Sequence, residues 1–271
     1  MITGMDSHMT TGVDEGLAAR WAGWHAKREE RLRQPYGWLS LTGLHWLSAE
    51  PRGFPGVPGT WRVREGSAEV TATEADELIV HGRVLSGTDS VRVPDDDAIT
   101  FAAFGDVAVE VIVRGGRYGI RVRDPHSPLR AGFTGVPTFP VSADWVIDAH
   151  LDRYPAPLDM EIDTAQADLT GVESAVGVLR FSAGGGEHAL VAFADDDGVT
   201  VVFTDATSGV STAPWRALWA EVAPDEDIVR LDFNRAVNLP SAFSEYGTCP
   251  KPPAGNALSI AVEAGEQRPL G

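Results

Sequence analysis

A mainly β fold, either an antiparallel barrel or a two-sheet sandwich with an N-terminal helix, is the architecture this sequence predicts. Many short runs alternate apolar and polar residues with the period of two that sends successive side chains to opposite faces of a strand. Turns rich in glycine and aspartate separate them. Only one stretch, near the N-terminus, repeats at helical spacing, so the alternating strands and helices of a parallel sheet are not expected.

The helix is expected from Asp14, a residue type that caps N-termini, to the stop at Pro35. Leu17, Trp21, Trp24 and Leu32 form its apolar stripe, while Lys27, Arg28, Glu29 and Glu30 face water. Residues 1–13 read as a disordered tail and 14–271 as one β-rich domain, with no linker and no repeat. Trp38 to Leu47 is dense in large apolar residues and reads as buried, with His45 a core histidine; Pro51 to Gly59 reads as a loop. Strands are expected at Trp61–Val63, Leu78–Val80, Val91–Val93 and Val107–Val113. Gly115-Gly116 turns the last of these into Tyr118–Val122, a hairpin with one apolar and one charged face. Further strands are expected at Trp145–Leu151, Leu158–Ile162, Val176–Phe181, His188–Phe193, Val199–Phe203 and Ile228–Leu231.

Composition limits the function classes. The formal net charge of -17 repels polyanions, and no basic stripe offsets it, so neither nucleic acid nor an anionic membrane is an expected partner. A single cysteine, Cys249, forms no intrachain disulfide and fits a reducing, cytoplasmic setting. No run approaches the ~20 apolar residues of a membrane span. The nucleophile elbow, the P-loop, the dinucleotide fingerprint and the His-Glu-x-x-His zinc helix are all missing, so no cofactor is named and none is excluded. Gly53, Gly56 and Gly59 adjoin no helix and read as turn residues. Asp195-Asp196-Asp197 lacks calcium-loop spacing and reads as a hairpin tip. His126, His150 and His188 are scattered, and no metal site is expected.

The most unusual block is polar and proline-rich: Asp232-Phe-Asn-Arg-Ala-Val-Asn238, Tyr246-Gly-Thr-Cys-Pro250, Pro252-Pro253, Asn256 and Ala264-Gly-Glu266. Together with Trp38–Leu44, Arg121-Val-Arg-Asp124, Phe139-Pro140 and Phe203-Thr-Asp-Ala-Thr-Ser-Gly209, it resembles the bacterial and archaeal domain-of-unknown-function family 1684, from roughly Trp21 onward. The resemblance implies no settled activity or cofactor. The chain departs from the family pattern at Val237, where an aromatic residue is usual, and at Ser241, where a second cysteine is frequent, so chemistry requiring a cysteine pair is not expected.

Three functions fit these residues. The first is a small-molecule enzyme, a hydrolase or lyase by residue type. Asp205 and Asp232 are its candidate acid/base groups and Cys249 its candidate nucleophile; Asn234, Arg235, Asn238 and Arg123 are candidate substrate-binding groups. The same polar residues could equally satisfy loop backbone. The second is a non-catalytic β protein holding a small ligand among its tryptophans, Trp38 and Trp219 among them; a tryptophan-lined pocket lacking the aspartates would favour it. The third is a structural or interaction protein whose helix docks on a partner, with a homodimer compatible with the sequence.

Overall fold

The computed structural model describes residues 7–223 and 226–269, with side chains in the first helix from Glu15 onward. The protein is mainly β, with 49% of residues in strands and 15% in helices. Helix α1 (Ser7–Leu32) runs through Asp14 instead of being capped there, so residues 7–13 of the expected tail are helical and residues 1–6 lie outside the described residues. A 3-10 turn (Trp38–Ser40) leads into β1 (Leu41–Trp46), β2 (Arg52–Phe54), β3 (Val57–Arg64) and β4 (Ser67–Ala72). Then come β5 (Ile79–Val80), β6 (Arg83–Val84), β7 (Gly87–Val91), β8 (Ala98–Phe104), β9 (Val107–Arg114) and β10 (Arg117–Arg123). After the short α2 (Pro128–Ala131) follow β11 (Val146–Asp163), β12 (Thr170–Ala183), β13 (Gly186–Asp195) and β14 (Gly198–Phe203). The last strands are β15 (Arg216–Glu221), β16 (Ile228–Asp232) and β17 (Val237–Asn238).

These strands form three antiparallel sheets, and no closed barrel occurs among the described residues. In the N-terminal half, a four-stranded sheet (β2-β3-β4-β7) packs on a six-stranded one (β1-β10-β9-β8-β5-β6) as a sandwich. Trp61 and Val70 from the first meet Val109, Val111 and Ile120 from the second, the period-two residues of each strand turned to one shared core. The C-terminal half is a seven-stranded sheet, β16-β11-β12-β13-β14-β15-β17. Leu179, Leu190, Phe203 and Leu218 on one face of this sheet are covered by Phe233 and by Leu258, Val262 and Ala264 of the C-terminal segment. The two largest apolar cores among the described residues are therefore separate, one in each half.

Several sequence expectations change in detail. The runs at Trp145–Leu151 and Leu158–Ile162 belong to one strand, β11, whose pairing with β12 shifts between Arg153 and Leu158. The expected loop Pro51–Gly59 contains β2 and the start of β3, and β7 lies mostly ahead of the Val91–Val93 run. The buried reading of Trp38–Leu47 is right for Leu39, Ser40 and Leu41, and much of the stretch is strand. His45 is half-buried, stacked on Phe54 at 4.7 Å between ring centroids. Burial first, and then Arg52, lowers its pKa.

The C-terminal segment is fixed by a buried ion-pair network. Arg216, at the start of β15 and 0% exposed, pairs with Asp205 at 2.8 Å and donates to the carbonyls of Val262, Ala264 and Glu266. Glu266, 1% exposed, accepts from the Asn238 backbone N–H at 2.6 Å and pairs with Arg28 of α1 at 3.1 Å. Arg28 also donates to the Asn238 carbonyl at 2.7 Å, so two ion pairs, joined through the Glu266 carbonyl, tie α1, β15, β17 and the C-terminal segment together. Gly265 allows the close passage. Its φ is +75°, and a Cβ there would lie 2.5 Å from the Ala236 carbonyl oxygen.

Two stability effects follow. Asp205→Ala leaves the Arg216 charge buried and unpaired, and is expected to lower unfolding free energy in urea by about 3–5 kcal/mol. The apolar pair Asp205→Leu/Arg216→Met is expected not to recover it, because three backbone carbonyls lose their donor; full recovery would mean that the network contributes charge alone. Gly265→Ala is expected to lower the urea midpoint through both backbone strain and the clash with Ala236, and an unchanged midpoint would show that the segment can move away.

Candidate functional site

The polar residues singled out from sequence fall in three places. Asp205 belongs to the Arg216 network: its Oδ1 accepts from the Thr207 N–H at 2.7 Å and its Oδ2 from Arg216. Its side chain has no solvent contact and lines none of the main cavities, and every contact it makes here is structural. Asn238 belongs to the same network and donates to the Gln267 carbonyl at 2.7 Å, while its buried Oδ1 has no partner among the described residues.

Asp232, Asn234 and Arg235 gather where β16 ends in a 3-10 turn, and they too brace the fold. Asp232 caps that turn by accepting from the Asn234 N–H at 3.2 Å and its side-chain amide at 2.9 Å. Asn234 exchanges two hydrogen bonds with the Ser142 backbone at 3.0 and 2.8 Å, and its carbonyl accepts from Trp21 of α1 at 2.6 Å. No N–H donor of Asn234 is left to hold an oxyanion. Arg235 Nε lies 3.2 Å from Asp232 Oδ2, too misaligned for a hydrogen bond, and the guanidinium sits 5.6 Å from the centre of the Trp24 ring. Asp232 and Arg235 also border a broad groove beside α1, where Asp148, Arg230 and Glu226 mix both signs of charge.

Cys249 lies elsewhere, at a cavity of about 430 Å³ where the two halves of the chain meet. The N-terminal half supplies Trp38, the β9–β10 hairpin tip and Arg121. The C-terminal half supplies residues 169–173 at the start of β12, with Ile162, Leu239, Thr248 and Cys249. The hairpin tip approaches so closely that a Cβ on Gly115, whose φ is +54°, would stand 2.9 Å from the Thr170 carbonyl oxygen. Cys249 is placed by strand-like pairing beside the end of β11: its carbonyl accepts from the Ala165 N–H at 2.8 Å, and Lys251 N–H donates to Asp163 at 2.7 Å. Burial raises the pKa of its thiol; hydrogen bonds with Ser241 and the nearby Arg121 pull the other way without cancelling that effect. A raised pKa disfavours the thiolate, the nucleophilic form of Cys249.

The guanidiniums beside it define the site. Arg121 and Arg123 project from the same face of β10, two residues apart, and Glu110 of β9 is the direct cross-strand partner of Arg121. Glu110 bonds mainly to Arg123, with its Oε2 3.0 Å from Nη2, and stays 3.7 Å from Arg121. Arg123 also donates to the carbonyls of Tyr36 and Gly37 at 3.1 and 3.0 Å, so the expected substrate-binding arginine is tied into the fold. Arg121 differs. It is 2% exposed, yet among the described residues it makes one hydrogen bond, from Nη2 to Thr248 Oγ1 at 2.7 Å, and its buried Nε has no partner. Both guanidiniums lie over Trp38, 5.4 and 5.2 Å from the ring centre.

Two buried cations share one carboxylate here, so the charge beside Trp38 is locally positive. Desolvation lowers the Arg121 pKa to about 10, with Glu110 opposing that effect, and the group remains charged at neutral pH. Sequence reading missed Arg121 as a site residue, although Trp38 was among the candidate cavity tryptophans. The available signal was Arg-x-Arg on one strand face opposite a lone glutamate. Among the described residues no cluster of three or more histidine, cysteine or acidic side chains could hold a metal ion, and no helix is long and apolar enough to cross a membrane.

Comparison with known proteins adds relatives without an activity. The solution NMR structure of an uncharacterized protein from Haloarcula marismortui is 30% identical over 51% of this chain and 78% of that one, with a TM-score of 0.44. No curated protein matches. The profile of a family described as a protein of unknown function, DUF1684, matches residues 131–267, so the likeness is established for the C-terminal half and not from Trp21 onward. The chain belongs to the DUF1684 family.

Proposed function

We propose that this protein binds a small anionic molecule with an apolar body in the cavity between its two halves, without catalysing its conversion. The observation that carries this reading is the unmatched charge of Arg121: a guanidinium removed from water, short of acceptors, on the wall of a cavity of ligand size. A buried charge is tolerated when it is paired and hydrogen-bonded, and an incoming carboxylate supplies both. Trp38, Ile162, Leu169 and Leu239 offer the apolar surface for the rest of the molecule. The cavity has a tryptophan in its wall and lacks Asp205 and Asp232, which favours a binder over an acid/base enzyme. Its one thiol, kept unpaired, suits a reducing compartment such as the cytoplasm.

Benzoate and hexanoate serve as probes in calorimetry and thermal unfolding. Arg121→Met is expected to weaken their binding by about 2–5 kcal/mol while leaving the ligand-free protein as stable or more so, since Glu110 then faces Arg123 alone. Full retention of binding by the variant, or its destabilisation with no ligand response in the parent, would make Arg121 a structural group. Cys249 gives a second readout, being the only thiol. Its alkylation by iodoacetamide is expected to rise only well above the pKa of ~8.5 of a free thiol, and to slow when benzoate is bound. Rapid alkylation at neutral pH would restore it as a nucleophile.

A further inference from the structure

A second cavity, of about 630 Å³, lies between α1 and the β15–β17 edge of the seven-stranded sheet, and Trp38 is the wall it shares with the Arg121 cavity. Three tryptophans, Trp24, Trp38 and Trp219, and three arginines, Arg28, Arg31 and Arg235, line it, and among the described residues no carboxylate does. Such a wall stands out in a chain whose formal net charge is -17. Trp24, Arg28 and Arg31 follow one another on α1 at the spacing of four and three residues that puts side chains on one helical face.

The three charges are not equally free. Arg28 pairs with Glu266 at 3.1 Å and Arg235 lies 3.2 Å from Asp232, so both are answered from behind the wall. Arg31 is exposed, and among the described residues it is in no ion pair. The rings differ in the same way. Trp24 packs against Trp21 and His25 and carries the Arg235 guanidinium, and Trp38 carries those of Arg121 and Arg123. Trp219 is 47% exposed, on the face of β15 opposite the buried Leu218 and Ala220, and among the described residues no ring or cation rests on it. An open indole and an unanswered guanidinium thus border one cavity of ligand size.

We propose that this cavity is a second binding site, for a flat aromatic molecule of two fused rings that carries one carboxylate. The rings lie on Trp219, and the carboxylate meets Arg31. Arg31 stands on a long, exposed side chain that can follow the carboxylate, so the site fixes the ring more strictly than the charge. A single unanswered cation suits a monoanion; a dianion would keep one charge unmatched beside a strongly acidic molecule.

Calorimetry on the full chain with naphthylacetate, its neutral amide and cyclohexylacetate tests this assignment. Naphthylacetate is expected to bind about tenfold more tightly than cyclohexylacetate, which lacks the ring, and about fivefold more tightly than the amide, which lacks the charge. Trp219→Ala and Arg31→Gln are expected to weaken naphthylacetate by about tenfold and about fivefold, with unchanged urea midpoints because both residues are exposed. Arg121→Met is expected to leave that binding in place, and hexanoate, having no ring, reports the Arg121 cavity alone. Binding of naphthylacetate with no response to hexanoate would reject the Arg121 reading and keep this one. Loss in Arg121→Met with retention in the other two variants, or no binding at all, overturns the second site. Equal affinity for cyclohexylacetate overturns the aromatic class, and equal affinity for the amide overturns the role of Arg31.

Discussion

The guanidinium of Arg216 lies wholly out of water, and four acceptors meet it: a carboxylate from Asp205 and the carbonyls of Val262, Ala264 and Glu266. Ionised groups are buried at a large desolvation penalty unless paired and hydrogen-bonded. A second ion pair, Glu266 with Arg28, is joined to this one through the Glu266 backbone carbonyl that accepts from Arg216. Most of the C-terminal half depends on it. The segment that covers the larger apolar core hangs on Arg216, and the seat of α1 is set by Arg28 and by Trp21 on the Asn234 carbonyl. Even so, Nε of Arg216 lacks a partner, so an unpartnered guanidinium nitrogen does not by itself mark a ligand site.

Arg121 is nearly as deeply buried and differs in its neighbours. It has one hydroxyl in place of four acceptors, and the one carboxylate within reach is engaged by Arg123. A protein stabilised only for its fold gains little from such an arrangement, since methionine would fill similar volume with less desolvation. Strain of this kind persists where it serves binding, because the energy lost on leaving the group unsatisfied is recovered when a complementary group arrives. The two arginines thus differ within one chain: one is met by four acceptors, the other keeps most of its donors unused.

How far this was legible in the sequence depends on which physical signal each residue carried. Strands such as β9, β13 and β14 are readable because Val, Ile and Phe recur with a period of two. β4, made of Ser-Ala-Glu-Val-Thr-Ala, and β15, which begins with a buried arginine, carry no such pattern, and only their neighbours make them strands. The sequence marks one face of the β9–β10 hairpin as charged but not that this face is covered: in β10 both faces are buried, because Trp38 and Thr248 close over Arg121. The residues of the C-terminal block were singled out correctly as specific, but their specificity is for backbone. Asn234 and Asn256 each bond to main-chain groups of distant segments, a role that residue type alone does not distinguish from binding a substrate.

The wide sequence separation inside the Arg216 network has a consequence for how the protein is made. Arg216 and Asp205 are synthesised well before residues 262–266, whose carbonyls complete their shell. Until that segment emerges, the nascent seven-stranded sheet exposes one apolar face together with an unsatisfied ion pair. The N-terminal sandwich draws its core wholly from residues up to Val122. During translation the two halves therefore differ in vulnerability: one core is complete early, whereas the other keeps an apolar face uncovered until the last residues of the covering segment are in place.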